Sequence, residues 1–123
     1  MAPPELLERT RLFALLVLAF CRRLPATDEA REAAGQLRRA ANSARSNYHA
    51  ARKGRSRAEF QAKLGTASEE IDECLDWLEY FKDAKIRSDP ALIEEARELV
   101  KIFAKSMQTT RANTNRIKVL PKG

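Results

Sequence analysis

The sequence predicts an all-α protein, folded as an antiparallel up-down-up-down four-helix bundle. Three observations carry this. Alanine is frequent, while glycine (4 residues) and β-branched residues are scarce, which favours helix over strand. Apolar residues recur at three- and four-residue steps in four successive stretches, and nowhere alternate as in a strand. The stretches are joined by short segments holding proline, glycine or a capping residue, and short links between long helices make neighbours antiparallel. At 123 residues, 44% apolar and 33% charged, the chain suits one folded domain over 1–123 and is too short for a separate catalytic unit.

The first helix is expected over about 4–23. Pro3 and Pro4 are tolerated in a first turn, and Pro25 stops the helix. The second runs over about 28–53. Thr27 is its N-cap, Asp28 and Glu29 its first-turn acids, and Gly54 its end. Its inner stripe is built of small residues, Ala30, Ala33, Ala40, Ala44 and Ala51 with Leu37, and Asn47 sits in the seam as a polar group needing a partner. The third spans about 57–84. Ser56 and Glu59 form a capping box, and Phe60, Leu64, Ala67, Ile71, Cys74, Leu78 and Phe81 fall on one face. The fourth spans about 90–114 after Asp89 and Pro90, with Leu92, Ala96, Leu99, Phe103 and Met107 inward, and leaves a tail of about 115–123.

The run LFALLVLAFC, residues 12–21, imitates a targeting segment, but ten residues cannot span a bilayer. Glu5 and Glu8 spoil a basic leader, and Phe20 stands where a cleavage site needs a small residue. It reads as a buried helix of a cytoplasmic protein without membrane contact. Cys21 and Cys74 form no CxxC or Cys/His cluster, so they read as reduced buried thiols and not zinc ligands.

Lys plus Arg is 23 against 17 Asp plus Glu, a net charge of +6. Its distribution is more informative. Arg31, Arg38, Arg45 and Arg52 recur every seven residues beside the second helix's seam, and Glu69, Glu70, Asp72, Glu73, Asp76 and Glu79 follow on the third. Antiparallel register sets Arg31 level with Glu79, and Arg38 level with Asp72 and Glu73. Arg45 and Arg52 meet no acid opposite. With Lys53, Arg55, Arg57 and Lys63 they form a basic patch at the second corner, where Glu59 is the one acid. The topology brings both chain ends to this corner, adding Arg11 and Arg116. The expected result is one strongly basic end, suited to a phosphate backbone without sequence readout. Tyr48 is the aromatic assigned to that end, for subunit contact or base stacking. Trp77, Tyr80 and Phe81, toward the acidic end, read as packing.

These residues also carry a resemblance. Gln36-Leu37-Arg38-Arg39, then Ser43, Asn47 and Tyr48, Arg55 and Ser56 with Glu59 and Phe60, Lys63-Leu64-Gly65, and Glu69, Glu70 and Glu73 before Trp77-Leu78-Glu79 together resemble the bacterial four helix bundle proteins. Those are related to proteins encoded in intervening sequences of large-subunit ribosomal RNA genes. The similarity is ungapped over 36–81 and looser from about 6 to 112. It implies a four-helix subunit and a ring-shaped homopentamer. It also implies kinship with the accessory proteins of diversity-generating retroelements, which partner a reverse transcriptase and nucleic acid. Many members carry Ala-Glu-Gly where this chain has His49-Ala50-Ala51, so any role of that glutamate is missing.

An enzyme is not expected. His49 is the single histidine, there is no Glu-x-x-His pair for a di-iron site, and no glycine-rich phosphate loop. No cofactor or metal is called for. The reading is a non-catalytic homo-oligomeric bundle that binds RNA or DNA through Arg45, Arg52, Lys53, Arg55 and Arg57, supported by Lys63, Arg11 and Arg116. The alternatives are a scaffold docking an acidic protein such as a reverse transcriptase, or a purely structural oligomer.

Overall fold

The computed structural model describes residues 5–119, the side chains of 114 and 116–119 excepted. Four helices follow one another: α1 (Leu6–Arg22), α2 (Asp28–Arg52), α3 (Arg57–Asp83) and α4 (Pro90–Val119). Each packs against its predecessor, α4 closes back onto α1, and among the described residues no diagonal pair packs closely. This cyclic order is the one an up-down-up-down bundle requires.

Local chemistry accounts for the ends. Thr27 Oγ accepts the Ala30 N–H at 3.2 Å, Ser56 Oγ the Glu59 N–H at 3.0 Å, and an Asp89 carboxylate oxygen the Leu92 N–H at 3.1 Å. Each cap contributes about 1 kcal/mol. The Glu59 carboxylate reaches back to the Arg55 N–H at 3.5 Å, one residue before the expected box partner. Gly54 keeps a negative φ, so it is not there for a left-handed turn. A Cβ on it would stand 3.1 Å from the Ala51 carbonyl oxygen and 3.2 Å from the Phe60 nitrogen; the corner is tight because glycine lets two backbones touch. The left-handed residue is Lys85, with φ 58°. There Ile86 N–H bonds back to Phe81 O and Lys85 N–H to Lys82 O, the bonding that closes a helix C-terminus. α4 runs past its expected end near residue 114 to Val119. The polar run from Gln108 holds no glycine or proline that would break it.

The core is one cluster. Ala33, Ala34, Leu37, Ala40, Ala41, Ala44 and Tyr48 from α2 meet Leu64, Ala67, Ile71, Cys74, Leu78 and Phe81 from α3, with Phe13, Val17, Phe20, Leu99 and Phe103 completing it. Small side chains let α2 and α3 approach closely, and this is the most extensive helix pair. Asn47 needs no partner across the seam: its amide donates to Ser43 O and Oγ at 2.9 and 3.0 Å within α2.

The first helix departs from expectation. Phe13, Val17 and Phe20 are buried, but Leu12, Leu15 and Leu16 remain 47–52% exposed. A corner helix touches only its two neighbours, so only one stripe of an all-apolar run finds cover. Among the described residues no helix is long and apolar enough to cross a membrane.

Candidate functional site

The seven-residue arginine stripe forms, but its expected acid pairs do not. Arg31 bonds Asp28 of its own helix at 2.6 Å, and Glu79 instead takes Arg97 at 3.2 Å. Opposite α3 it is Arg39 that pairs, with Glu73 at 2.7 Å and Glu70 at 3.4 Å. The expected register holds, and the pairing arginine differs by one residue. A step along a helix turns it by about 100°, so Arg38 and Arg39 leave α2 on different flanks. Arg38 faces α1, beside Cys21. Burial pushes the Cys21 thiol up and the Arg38 guanidinium opposes it. On α3, Glu69, Asp72 and Asp76 form no ion pair among the described residues; Asp72 has its carboxyl raised by partial burial and by Asp76 and Glu69.

The sequence-expected cations separate into two groups. Arg45 and Arg11 line a depression of about 240 Å³ between α1 and α2, together with Arg38, Asn42, Leu15 and Leu18. Arg11 is engaged there, bonding Glu8 at 2.6 Å, whereas Arg38 and Arg45 form no ion pair among the described residues. Arg38, expected among the paired arginines, thus joins the unpaired ones.

Arg52 and Arg57 line a larger depression, about 600 Å³, at the α2–α3 corner. Ala51, Gly54 and Phe60 form its floor with Thr110 and Asn113 of α4. Among the described residues no carboxylate lines it. Lys53, Arg55 and Lys63 are exposed around the corner and do not line it. None of these five cations forms an ion pair among the described residues. The Arg116 side chain lies outside the described residues.

Two aromatics exchange the places the sequence suggested. Tyr48 is fully buried, its ring edge-on to Phe103 at 5.4 Å. It can neither stack a base nor meet another subunit. Its hydroxyl has no hydrogen-bond partner among the described residues. Burial raises its pKa; the nearby Arg52 guanidinium pulls the other way without a well-formed bond, and Glu5 adds to the rise. Phe60, counted in the core stripe, is only half-buried and opens into the corner depression. The available signal was its position: four residues after a cap, at a helix start, a stripe residue lies beyond the reach of its neighbours.

His49 is exposed and stands with no acid partner among the described residues. Of the C-terminal aromatics of α3, Phe81 is buried and Trp77 half-buried, while Tyr80 is 48% exposed and edge-on to Trp77 at 5.4 Å. Among the described residues no three His, Cys, Asp or Glu side chains gather to hold a metal.

With four helices and this corner in place, the family can be stated. The model of the 23S rRNA-intervening sequence protein family matches residues 5–111, from the start of α1 well into α4. The chain belongs to that family. The matched span holds both depressions except Asn113. Its fold is similar to the solved structure of a protein of unknown function from the S23 ribosomal protein family of Bacteroides thetaiotaomicron. That likeness has a TM-score of 0.73 at 20% identity and covers 83% of this chain and 94% of the other; it speaks for the fold alone. No curated protein matches the chain.

Proposed function

We propose that this member of the 23S rRNA-intervening sequence protein family is a non-catalytic, cytoplasmic, homo-oligomeric bundle that holds RNA or DNA by phosphate contacts. One observation carries the reading. Arg45, Arg52, Lys53, Arg55, Arg57 and Lys63 have no ion-pair partner among the described residues, whereas Arg9, Arg31, Arg39 and Arg97 are each paired with a carboxylate. Five of the six gather at the α2–α3 corner, while Arg45 lies in the depression between α1 and α2. Cations without acidic mates displace counterions when they meet phosphates, which is the main source of sequence-independent affinity. The family's description, which names an intervening sequence of ribosomal RNA, agrees with a nucleic-acid setting. The exposed Leu12, Leu15 and Leu16 support self-association. A ring, pentameric by resemblance, would repeat the corner and multiply weak contacts. Both cysteines are free thiols, in keeping with a reducing compartment.

The test is binding of a labelled oligonucleotide across a salt series. Affinity should fall steeply as salt rises, by about 0.7 to 0.9 log units per decade of salt for each phosphate contact. Arg52→Glu with Arg55→Glu should abolish binding and leave the fold intact. Salt-insensitive binding, or a double variant that binds normally, refutes the proposal. Should the protein instead retain an acidic protein, such as a reverse transcriptase, after nuclease treatment, the corner is a docking surface for that partner.

A further inference from the structure

We infer that the depression between the α2–α3 corner and α4 receives one unpaired nucleotide, its base against Phe60 and its phosphate between Arg52 and Arg57. The protein then prefers single-stranded nucleic acid to duplex. This rests on the reading of the corner as a nucleic-acid surface and goes beyond it, because phosphate contacts alone do not distinguish one strand from two.

Four features of the hollow point to this ligand. Its volume, about 600 Å³, lies in the range of about 300–1,000 Å³ occupied by small-molecule sites, more than a lone phosphate needs. Its floor combines the half-buried Phe60 ring with Ala51, and every base has a π face that stacks on an aromatic regardless of sequence. Its cations are two guanidiniums, which suit phosphate oxygens in paired, planar contact. The N-terminus of α3 begins at Arg57 on its rim, and the positive end of that helix adds to the attraction for an anion.

A duplex could touch Arg52 and Arg57 from outside, but its bases are stacked and paired and cannot enter. Only a strand with a base free to leave the stack uses the Phe60 floor. Tyr48 supports this corner from beneath. It is fully buried, with Arg52 beside its hydroxyl, one helical turn from the hollow.

The experiment is fluorescence anisotropy at about 50 mM salt, with oligouridine, oligothymidine and a mixed-sequence duplex. Each probe is about 15 nucleotides or base pairs long, within the ~4–16-nucleotide footprint common for single-strand binders. Single strands should bind about tenfold more tightly than duplex. Phe60→Leu, which keeps an apolar side chain and removes the π face, should cut single-strand affinity about tenfold and move duplex affinity less than about twofold. Phe60→Tyr should retain the preference, which separates loss of stacking from loss of fold. A stronger response to uridine assigns the hollow to RNA and a stronger response to thymidine to DNA; either supports the site. Equal affinity for single strand and duplex, unchanged in Phe60→Leu, overturns the inference and leaves the phosphate-binding reading standing. If no probe binds, both fall.

Discussion

Replacing Tyr48 by phenylalanine should stabilise the protein. The ring lies entirely inside the bundle, edge-on to Phe103 at 5.4 Å, and phenylalanine keeps that packing. The change removes only the hydroxyl, which has no hydrogen-bond partner among the described residues. A buried polar group left unpaired costs roughly 1–3 kcal/mol. The Arg52 guanidinium nearby offsets part of that, so the expected gain is about 1 kcal/mol. For a chain of 123 residues, an unfolding entropy of about 2.1 cal/mol/K per residue converts about 1 kcal/mol into a rise in Tm of about 4 °C. The assay is thermal unfolding followed by far-ultraviolet circular dichroism at neutral pH and fixed protein concentration, since an oligomer's Tm depends on concentration. A fall in Tm of about 4 °C or more would refute the reasoning. It would mean that the hydroxyl is satisfied in solution and that Tyr48 belongs to a polar network at the corner.

Two further expectations concern stability. Gly35 sits inside α2, where a Cβ would meet nothing within 4 Å, while a Cβ on Gly54 would press on two backbone atoms at 3.1 and 3.2 Å. Urea unfolding should therefore show Gly35→Ala stabilising by about 0.5–1 kcal/mol and Gly54→Ala destabilising by about 1 kcal/mol; equal signs would contradict the account of the corner. The second expectation is a loss of stability in alkali. Burial pushes the Cys74 thiol far above its usual range, with Glu70 and Glu73 adding to the rise. The folded protein keeps that proton while the unfolded chain releases it above pH ~8.5. The unfolded state then binds fewer protons, so stability falls as pH rises, by up to about 1.4 kcal/mol per pH unit for this group. Cys74→Ala, less stable throughout because of its cavity, should show a shallower alkaline decline; identical slopes would remove Cys74 as the cause.

The sequence by itself determined the four helices and where three of them start. Those limits rest on neighbours in the chain: Thr27, Ser56 and Asp89 cap N–H groups three residues on. It also determined the α2–α3 register, because the short corner around Gly54 fixes which residues of two antiparallel neighbours lie level. Tertiary structure decided everything that depends on which flank a side chain leaves. Arg39, not Arg38, reaches the α3 acids, since one residue step turns a helix by about 100° and periodicity along one helix does not say on which side its partner lies. Tyr48 is buried and Phe60 opens to the surface, because burial depends on how far each neighbouring helix extends past a position. The expected cations likewise divided between two hollows, one between α1 and α2 and one where α4 meets the α2–α3 corner.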